Sequence, residues 1–283
     1  MNFPTPTPLG CALAMALLGA SAIAAGITPG HADKPIFGDP DATNPARAES
    51  KTDAVGSAVL EAVRAHYPLR WYELAKANPR PSELFMPPKS AGKLPGYLSM
   101  GDSISLCYLP HVREKLADRY AIHRIPHNGA GTAFGKDNID AYLEAGPFSL
   151  ITFNWGLHDL IHIKRPNGGG GVDIVHRTNL DEYKKRLNEL VAKLKTTRAK
   201  LVWVATTPVK DSARYRPEDV DTFNAAAAEV MAANGVKVVD LATSGFRNGP
   251  LDLVADGLHF TPESCKVLGE TLAGELGHLE RLR

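Results

Sequence analysis

The chain is poor in cysteine and has no surplus of charge of either sign. Cysteine occurs at only three positions in 283 residues, 11, 107 and 265, which is no disulfide framework. Lys and Arg number 32 against 31 Asp and Glu, a net charge of +1, and the two signs are interspersed. No long-range field therefore favours a phosphate backbone or an anionic membrane, and nucleic acid is excluded as a partner class. The glycine run Gly168 to Gly171 lacks the Lys-Ser/Thr that a phosphate-cradling loop needs. It reads instead as a mobile segment beside a site or as a plain surface loop. Basic residues are also missing ahead of the apolar run Leu9 to Gly26, beyond the amino terminus itself. That run, with small residues at Ala22 and Ala24, still fits a secretory signal peptide over residues 1–25. The expectation is export to the periplasm or the extracellular space with no stable membrane partner after cleavage, an uncleaved anchor being the alternative. Cys11 follows Pro8 and Leu9 too early in the run for lipoprotein acylation.

Apolar residues make up 44% of the sequence, enough for one large α/β domain and too little chain for two generous ones. Residues 26 to about 50 are rich in Pro, Gly, Asp and Ala without an apolar period and read as a linker. Residues 53 to 77 have helical spacing, with Val59, Leu60, Val63, Tyr67 and Tyr72 on one face, and Pro68 should kink or split the stretch. Pro79, Pro81, Pro87 and Pro88 then enforce extended chain. The expected division is a linker and helical extension over 26–93 and a catalytic domain over 94–283.

From Leu94 onward, short apolar runs alternate with amphipathic stretches. Strands are expected at 96–100, 121–125, 150–153, 201–206 and 236–241, and helices near 109–120, 137–144, 181–197, 217–234 and 262–276. On the 181–197 helix, Tyr183, Leu187, Leu190, Val191 and Leu194 share one face, as core packing requires. Five strands with crossovers imply a three-layer α/β/α sandwich around a five-stranded parallel sheet. In such sheets functional groups gather beyond the carboxyl ends of the strands. Gly101-Asp102-Ser103, Asn128-Gly129, Asn154 to Asp159 and Asp256 to His259 all fall at that edge.

A serine hydroxyl becomes a nucleophile when a base takes its proton, and the base needs a third group to hold its tautomer. Asp256 and His259, three apart in one loop, satisfy the second requirement, and Thr261 and Pro262 resemble the cap and first residue of a following helix. Ser103 sits at a strand-to-helix turn, where free N–H groups can receive an oxyanion. The G-x-S-x-G elbow of α/β-hydrolases is absent, because position 105 is serine.

GDSIS at 101–105, NGAGT at 128–132, FNWGLHD at 153–159 and DGLHFTP at 256–262 together resemble the four ordered blocks of the SGNH, or GDSL, hydrolases. The resemblance implies a flavodoxin-like fold and an esterase acting through an acyl-enzyme, without metal or organic cofactor. It implies Ser103 as nucleophile, His259 as base and Asp256 as its orienting acid. The oxyanion hole would be formed by the N–H groups of Ser103 and Gly129, with Gly131 competing for the register of the second block. In the third block histidine stands where the family shows asparagine, so the side-chain donor is either His158 or Asn154. Small acyl esters, possibly acetyl groups on carbohydrate, are the expected substrates.

Two other readings compete. His158 and His162 in HDLIH have the four-residue spacing of a zinc-binding helix, which would make the chain a metal-dependent hydrolase. A non-catalytic carbohydrate-binding protein on the same fold is the third. Trp155, Phe260 and Tyr108 either line a substrate pocket or pack in the core. Cys107 and Cys265 are either buried thiols or a bridge between the helices that follow Ser103 and His259.

Overall fold

A computed structural model describes residues 49–78, 81–246 and 251–281. The apolar run and the Pro/Gly-rich linker up to residue 48 lie outside the described residues. Among the described residues no helix is long and apolar enough to cross a membrane.

Seven strands occur among these residues: β1 (Gly96–Met100), β2 (Ala121–Arg124), β3 (Leu150–Phe153), β4 (His162–Pro166), β5 (Val172–His176), β6 (Lys200–Val204) and β7 (Lys237–Val239). The helices are α1 (Glu49–His66), α2 (Leu69–Ala77), α3 (Ser103–Lys115), α4 (Thr132–Leu143), α5 (Leu157–Leu160), α6 (Leu180–Lys195), α7 (Pro217–Ala233), α8 (Leu241–Phe246) and α9 (Pro262–Arg281). Five strands form one parallel sheet in the order β2-β1-β3-β6-β7, the doubly wound order of flavodoxin-like folds. All five are where the sequence pattern places them, within about two residues at each end. Helices cover both faces, so the strands read as continuous apolar runs rather than as alternations. Leu98, Met100, Ile151, Phe153, Val202 and Trp203 are accordingly buried. The predicted face of α6 is buried in full.

Register sets up the site. Met100 pairs with Phe153 and Ser99 with Arg124, so β1, β2 and β3 end level with one another. The segments after them leave the sheet along one edge.

The segment HDLIH is not one continuous helix. α5 stops at Leu160, Ile161 is extended, and His162 begins β4. Pro166 closes β4 opposite Val172, and the glycine run is the turn of an antiparallel β4–β5 hairpin, closed by the Asn167 N–H donating to the Gly171 carbonyl. The amide oxygen of Asn167 accepts the N–H groups of Gly169 and Gly171, an Asx-type turn that needs no side chains from the glycines.

Pro68 does split the N-terminal helix, by starting α2. Val59, Val63, Tyr67, Trp71, Ala75 and Phe85 share one buried cluster with the sheet residues. The Trp71 indole donates to the Ala141 carbonyl at 2.6 Å, and the Arg113 guanidinium joins the carbonyls of Leu84 and Ile122. The extension thus lies over the β2 edge of the sheet and the end of α4.

This packing buries two imidazoles. The Tyr67 hydroxyl is 2.8 Å from Nδ1 of His123. Burial, with the nearby Arg113 cation, pushes His123 from its usual 6.5 down to about 4. Burial does the same to His127 despite a hydrogen bond to the Asn128 carbonyl. Both groups are therefore neutral in the folded chain at pH 5, whereas the unfolded chain protonates them below about 6.5. The unfolded state binds more protons over that window, so stability rises with pH and is lost as pH falls from about 6.5 toward 4. The expected loss is about 2 kcal/mol per histidine by pH 5. Urea unfolding at pH 7 and pH 5 measures it; equal stabilities would show that these imidazoles are not held neutral.

Candidate active site

α3 begins at Ser103, six residues earlier than the periodicity indicates. The Asp102 side chain caps it by accepting the Ile104 N–H at 3.0 Å, a local signal that outweighs the irregular SISLCYLP pattern and the internal Pro110. As the first helical residue, Ser103 keeps an N–H with no intrahelical acceptor.

Asp256 and His259 ride on a tight turn between Asp252 and Thr261. Its rungs are Val254 N–H to His259 O at 2.8 Å and Thr261 N–H to Asp252 O at 3.0 Å. Gly257 has φ +71°, and a Cβ there would lie 2.9 Å from the Lys210 side chain, so this position demands glycine. Thr261 and Pro262 start α9 as the sequence suggests, with the Thr261 hydroxyl accepting the Ser264 N–H.

These two supports bring the three side chains into line. Ser103 Oγ is 2.8 Å from His259 Nε2, and His259 Nδ1 is 2.7 Å from Asp256 Oδ2. The other carboxylate oxygen of Asp256 accepts the N–H groups of Leu258 and His259 at 2.8 and 2.9 Å. Partial burial pushes the Asp256 carboxyl up, but the His259 ring, these two N–H groups and the imidazole charge together hold it below the usual carboxylate range. It stays ionised wherever the imidazole can act as a base. Asp256 is 42% exposed and His259 25%, so the dyad opens to solvent.

The second and third blocks are positioned by contacts that the sequence does not announce. The Gly129 N–H donates to the Gly101 carbonyl at 2.8 Å, and a Cβ on Gly129 would sit 2.4 Å from that oxygen. Gly129 is glycine so that this loop can close on the nucleophile turn, and its N–H is already engaged. Gly129, one of the two glycines weighed as an oxyanion donor, thus directs its N–H at Gly101. Gly131 precedes α4, and among the described residues its N–H has no protein acceptor. Asn154 is likewise engaged, its amide nitrogen lying 2.7 Å from the Val204 carbonyl and 3.4 Å from the Thr206 hydroxyl. That bond ties the end of β3 to β6. His158 is half-buried on α5.

Asp159 is the anchor of the arrangement. It is buried and accepts the Thr132 N–H and the hydroxyls of Thr132 and Thr178. Burial raises its carboxyl above the ordinary value, against those hydrogen bonds. A carboxylate from a neighbouring element thus caps α4 where the local cap, Gly131, has no side chain, and holds Gly131 beside the third block. Trp155, Phe260 and Tyr108 are all buried in the core. The Trp155 indole also donates to the Gly129 carbonyl at 3.1 Å.

Arg124, at the end of β2, was not identifiable from sequence. Its fully buried guanidinium lies under the nucleophile turn and donates to the carbonyls of Gly101 and Ile125 and to the Ser105 hydroxyl at 2.6, 3.1 and 2.9 Å. Burial lowers it to about 10, so it is a cation at neutral pH. These bonds tie the Gly101 to Ser105 turn to the end of β2. Arg124→Lys keeps the charge and loses the fork. The expected result is a fall in kcat of about 10- to 100-fold with KM little changed; an unaltered kcat in a folded variant would remove Arg124 from the positioning network.

Cys107 on α3 and Cys265 on α9 form a disulfide, with their Cα atoms 5.4 Å apart. Of the two readings open from sequence, the bridge is the one observed.

The Ser103 turn, the His259–Asp256 pair and the two glycines of the second block lie together at the sheet edge beyond the strand ends. The family model of the GDSL-like lipase/acylhydrolases matches residues 100–266. The chain belongs to that family, whose reaction is ester hydrolysis. No curated protein is significantly similar to it in sequence. Among solved structures, it resembles the acetyl xylan esterase AlAXEase at 14% identity and a TM-score of 0.51, covering 64% of this chain and 99% of that one. A lipase/acylhydrolase from Enterococcus faecalis gives 18% identity and a TM-score of 0.51 over 64% and 95%. A catalytic mutant of Axe2, an acetylxylan esterase from Geobacillus stearothermophilus, gives 15% and 0.52 over 65% and 96%. At these identities the likeness carries the fold alone.

Proposed function

We propose that the protein is an exported serine esterase acting on small acyl esters, with acetyl groups on carbohydrate as the natural class. The observation that carries this reading is the continuous hydrogen-bonded line from Ser103 Oγ through His259 to Asp256. His259 takes the Ser103 proton as Oγ attacks the ester carbonyl, and Asp256 stabilises the imidazolium. The oxyanion is met by the N–H groups of Ser103 and Gly131, with His158 as the side-chain donor because the Asn154 amide is engaged elsewhere. His259 then protonates the leaving alcohol, and water, activated by the same imidazole, releases the acid. The apolar run at the amino terminus supports export, and a disulfide in so cysteine-poor a chain suits an oxidising compartment. The xylan-deacetylating relatives of similar fold, together with the solvent-open dyad, support a bulky, hydrated alcohol carrying a small acyl group.

The test is a series of p-nitrophenyl esters from acetate to palmitate with the purified mature protein, run beside Ser103→Ala and an EDTA-treated sample. Turnover highest on acetate, lost in Ser103→Ala and retained with EDTA is the expected result. Preference for the long chains would overturn the acyl assignment. Activity lost to the chelator but not to the serine substitution would overturn the serine mechanism.

A further inference from the structure

The hairpin that follows the third block brings together three side chains the esterase mechanism does not use. His162 and His176 are cross-strand partners at the base of β4–β5, and Asp219 lies in the first turn of α7. His162 Nε2 is 2.8 Å from Asp219 Oδ2, and His176 Nε2 is 3.1 Å from Oδ1. The ligand atoms of all three lie within 4.8 Å of one another. His162 is 9% exposed, Asp219 15% and His176 29%, so the group is set into the surface with one open side.

We propose that His162, His176 and Asp219 bind a divalent transition-metal ion of the zinc class as a structural pin. Two imidazoles and one carboxylate are the nitrogen and oxygen donors that such ions take, and water on the side of His176 completes a tetrahedron. Ion–ligand bonds of about 2.0–2.2 Å space tetrahedral donor atoms about 3.3–3.5 Å apart. The observed separations reach this by a small rotation of the Asp219 carboxylate and of the part-exposed His176 ring. Each neutral imidazole binds through the Nε2 lone pair as the tautomer that carries its proton on Nδ1, so the ion replaces two hydrogen bonds by three coordinate bonds. The three ligands come from three elements, and binding therefore ties both hairpin strands to α7. His162 is three residues from Asp159, the residue that holds Gly131 in place. The pin steadies the segment that carries the third block without entering the chemistry at Ser103.

Calorimetric titration of the tag-free, chelator-stripped full-length protein with ZnCl2, with bound metal counted by mass spectrometry after dialysis, tests the site. One zinc per chain and a rise in Tm on loading are expected for wild type and for Ser103→Ala. Loss of the bound zinc and of the Tm rise is expected in His176→Ala and in Asp219→Asn. A wild type that retains no zinc would overturn the proposal, as would a stoichiometric zinc that persists in both variants or that disappears in His259→Ala.

Discussion

Replacing Ser103 by alanine is expected to lower kcat on p-nitrophenyl acetate by about 10⁴- to 10⁶-fold, leaving the fold and the Tm nearly unchanged. The size of the effect follows from what Ser103 supplies. Its Oγ stands 2.8 Å from the His259 imidazole, which the Asp256 carboxylate holds from its other side, so the attack depends on this one hydroxyl. Ser105, two residues on, cannot substitute: its hydroxyl is buried and donates to the Asp102 carbonyl at 2.6 Å. His259→Ala should cost nearly as much, and the double variant little more than either alone, because nucleophile and base act as one unit. Additive losses in the double variant would mean that the two residues act independently. Residual turnover in either variant reports the oxyanion donors, which both substitutions leave in place.

Removal of the Cys107–Cys265 bridge is expected to cost the most stability of any change considered. The half-cystines are 158 residues apart, and closing so long a loop in the unfolded chain corresponds to about 4–5 kcal/mol on the chain-entropy account, with about 2–5 kcal/mol the usual range for native bridges. For a chain of this size that is a fall in Tm of about 5–15 °C. The link also joins α3, which begins with Ser103, to α9, which begins three residues after His259. Mutual fraying of these helices would part the dyad, so activity at elevated temperature should fall before the bulk of the sheet melts. A Cys107→Ala/Cys265→Ala protein, followed by circular dichroism and by esterase activity over a temperature ramp, reads both effects. A Tm within about 1 °C of wild type would show that the bridge adds nothing.

The parallel sheet and the Ser103, Asp256 and His259 constellation were legible because they depend on local signals: buried runs of strand length, and polar residues placed just beyond them. What was hidden depends on contacts between distant segments. Arg124 reads as an interruption in a short apolar strand, and only the folded chain shows three acceptors converging on it from below the nucleophile turn. In NGAGT two glycines are equivalent on paper; only the folded chain shows that Gly129 closes against the Gly101 carbonyl while Gly131 lies against Asp159. Asn154 looked available until the partner strand β6 supplied the Val204 carbonyl. HDLIH kept the spacing of a zinc helix but not its conformation. Ile161 leaves the helical region, and His162 then finds its partners on β5, 14 residues on, and on α7, 57 residues on. The hairpin itself was missed because Val172 and Ile174 are exposed, so β5 lacks the buried alternation by which half-covered strands are recognised. The aromatic residues near the site gave no periodic signal that separates a pocket wall from core, and all three proved to be core.

The most direct measurement of the central claim is covalent trapping. Wild type and His259→Ala would be incubated with a p-nitrophenyl phosphonate ester, digested and mapped by mass spectrometry, with residual esterase activity followed in parallel. A single adduct on Ser103, formed in step with loss of activity and suppressed in His259→Ala, is the result expected of a serine nucleophile activated by that imidazole. An active enzyme that resists the reagent, or one whose inactivation tracks an adduct at another residue, would contradict it.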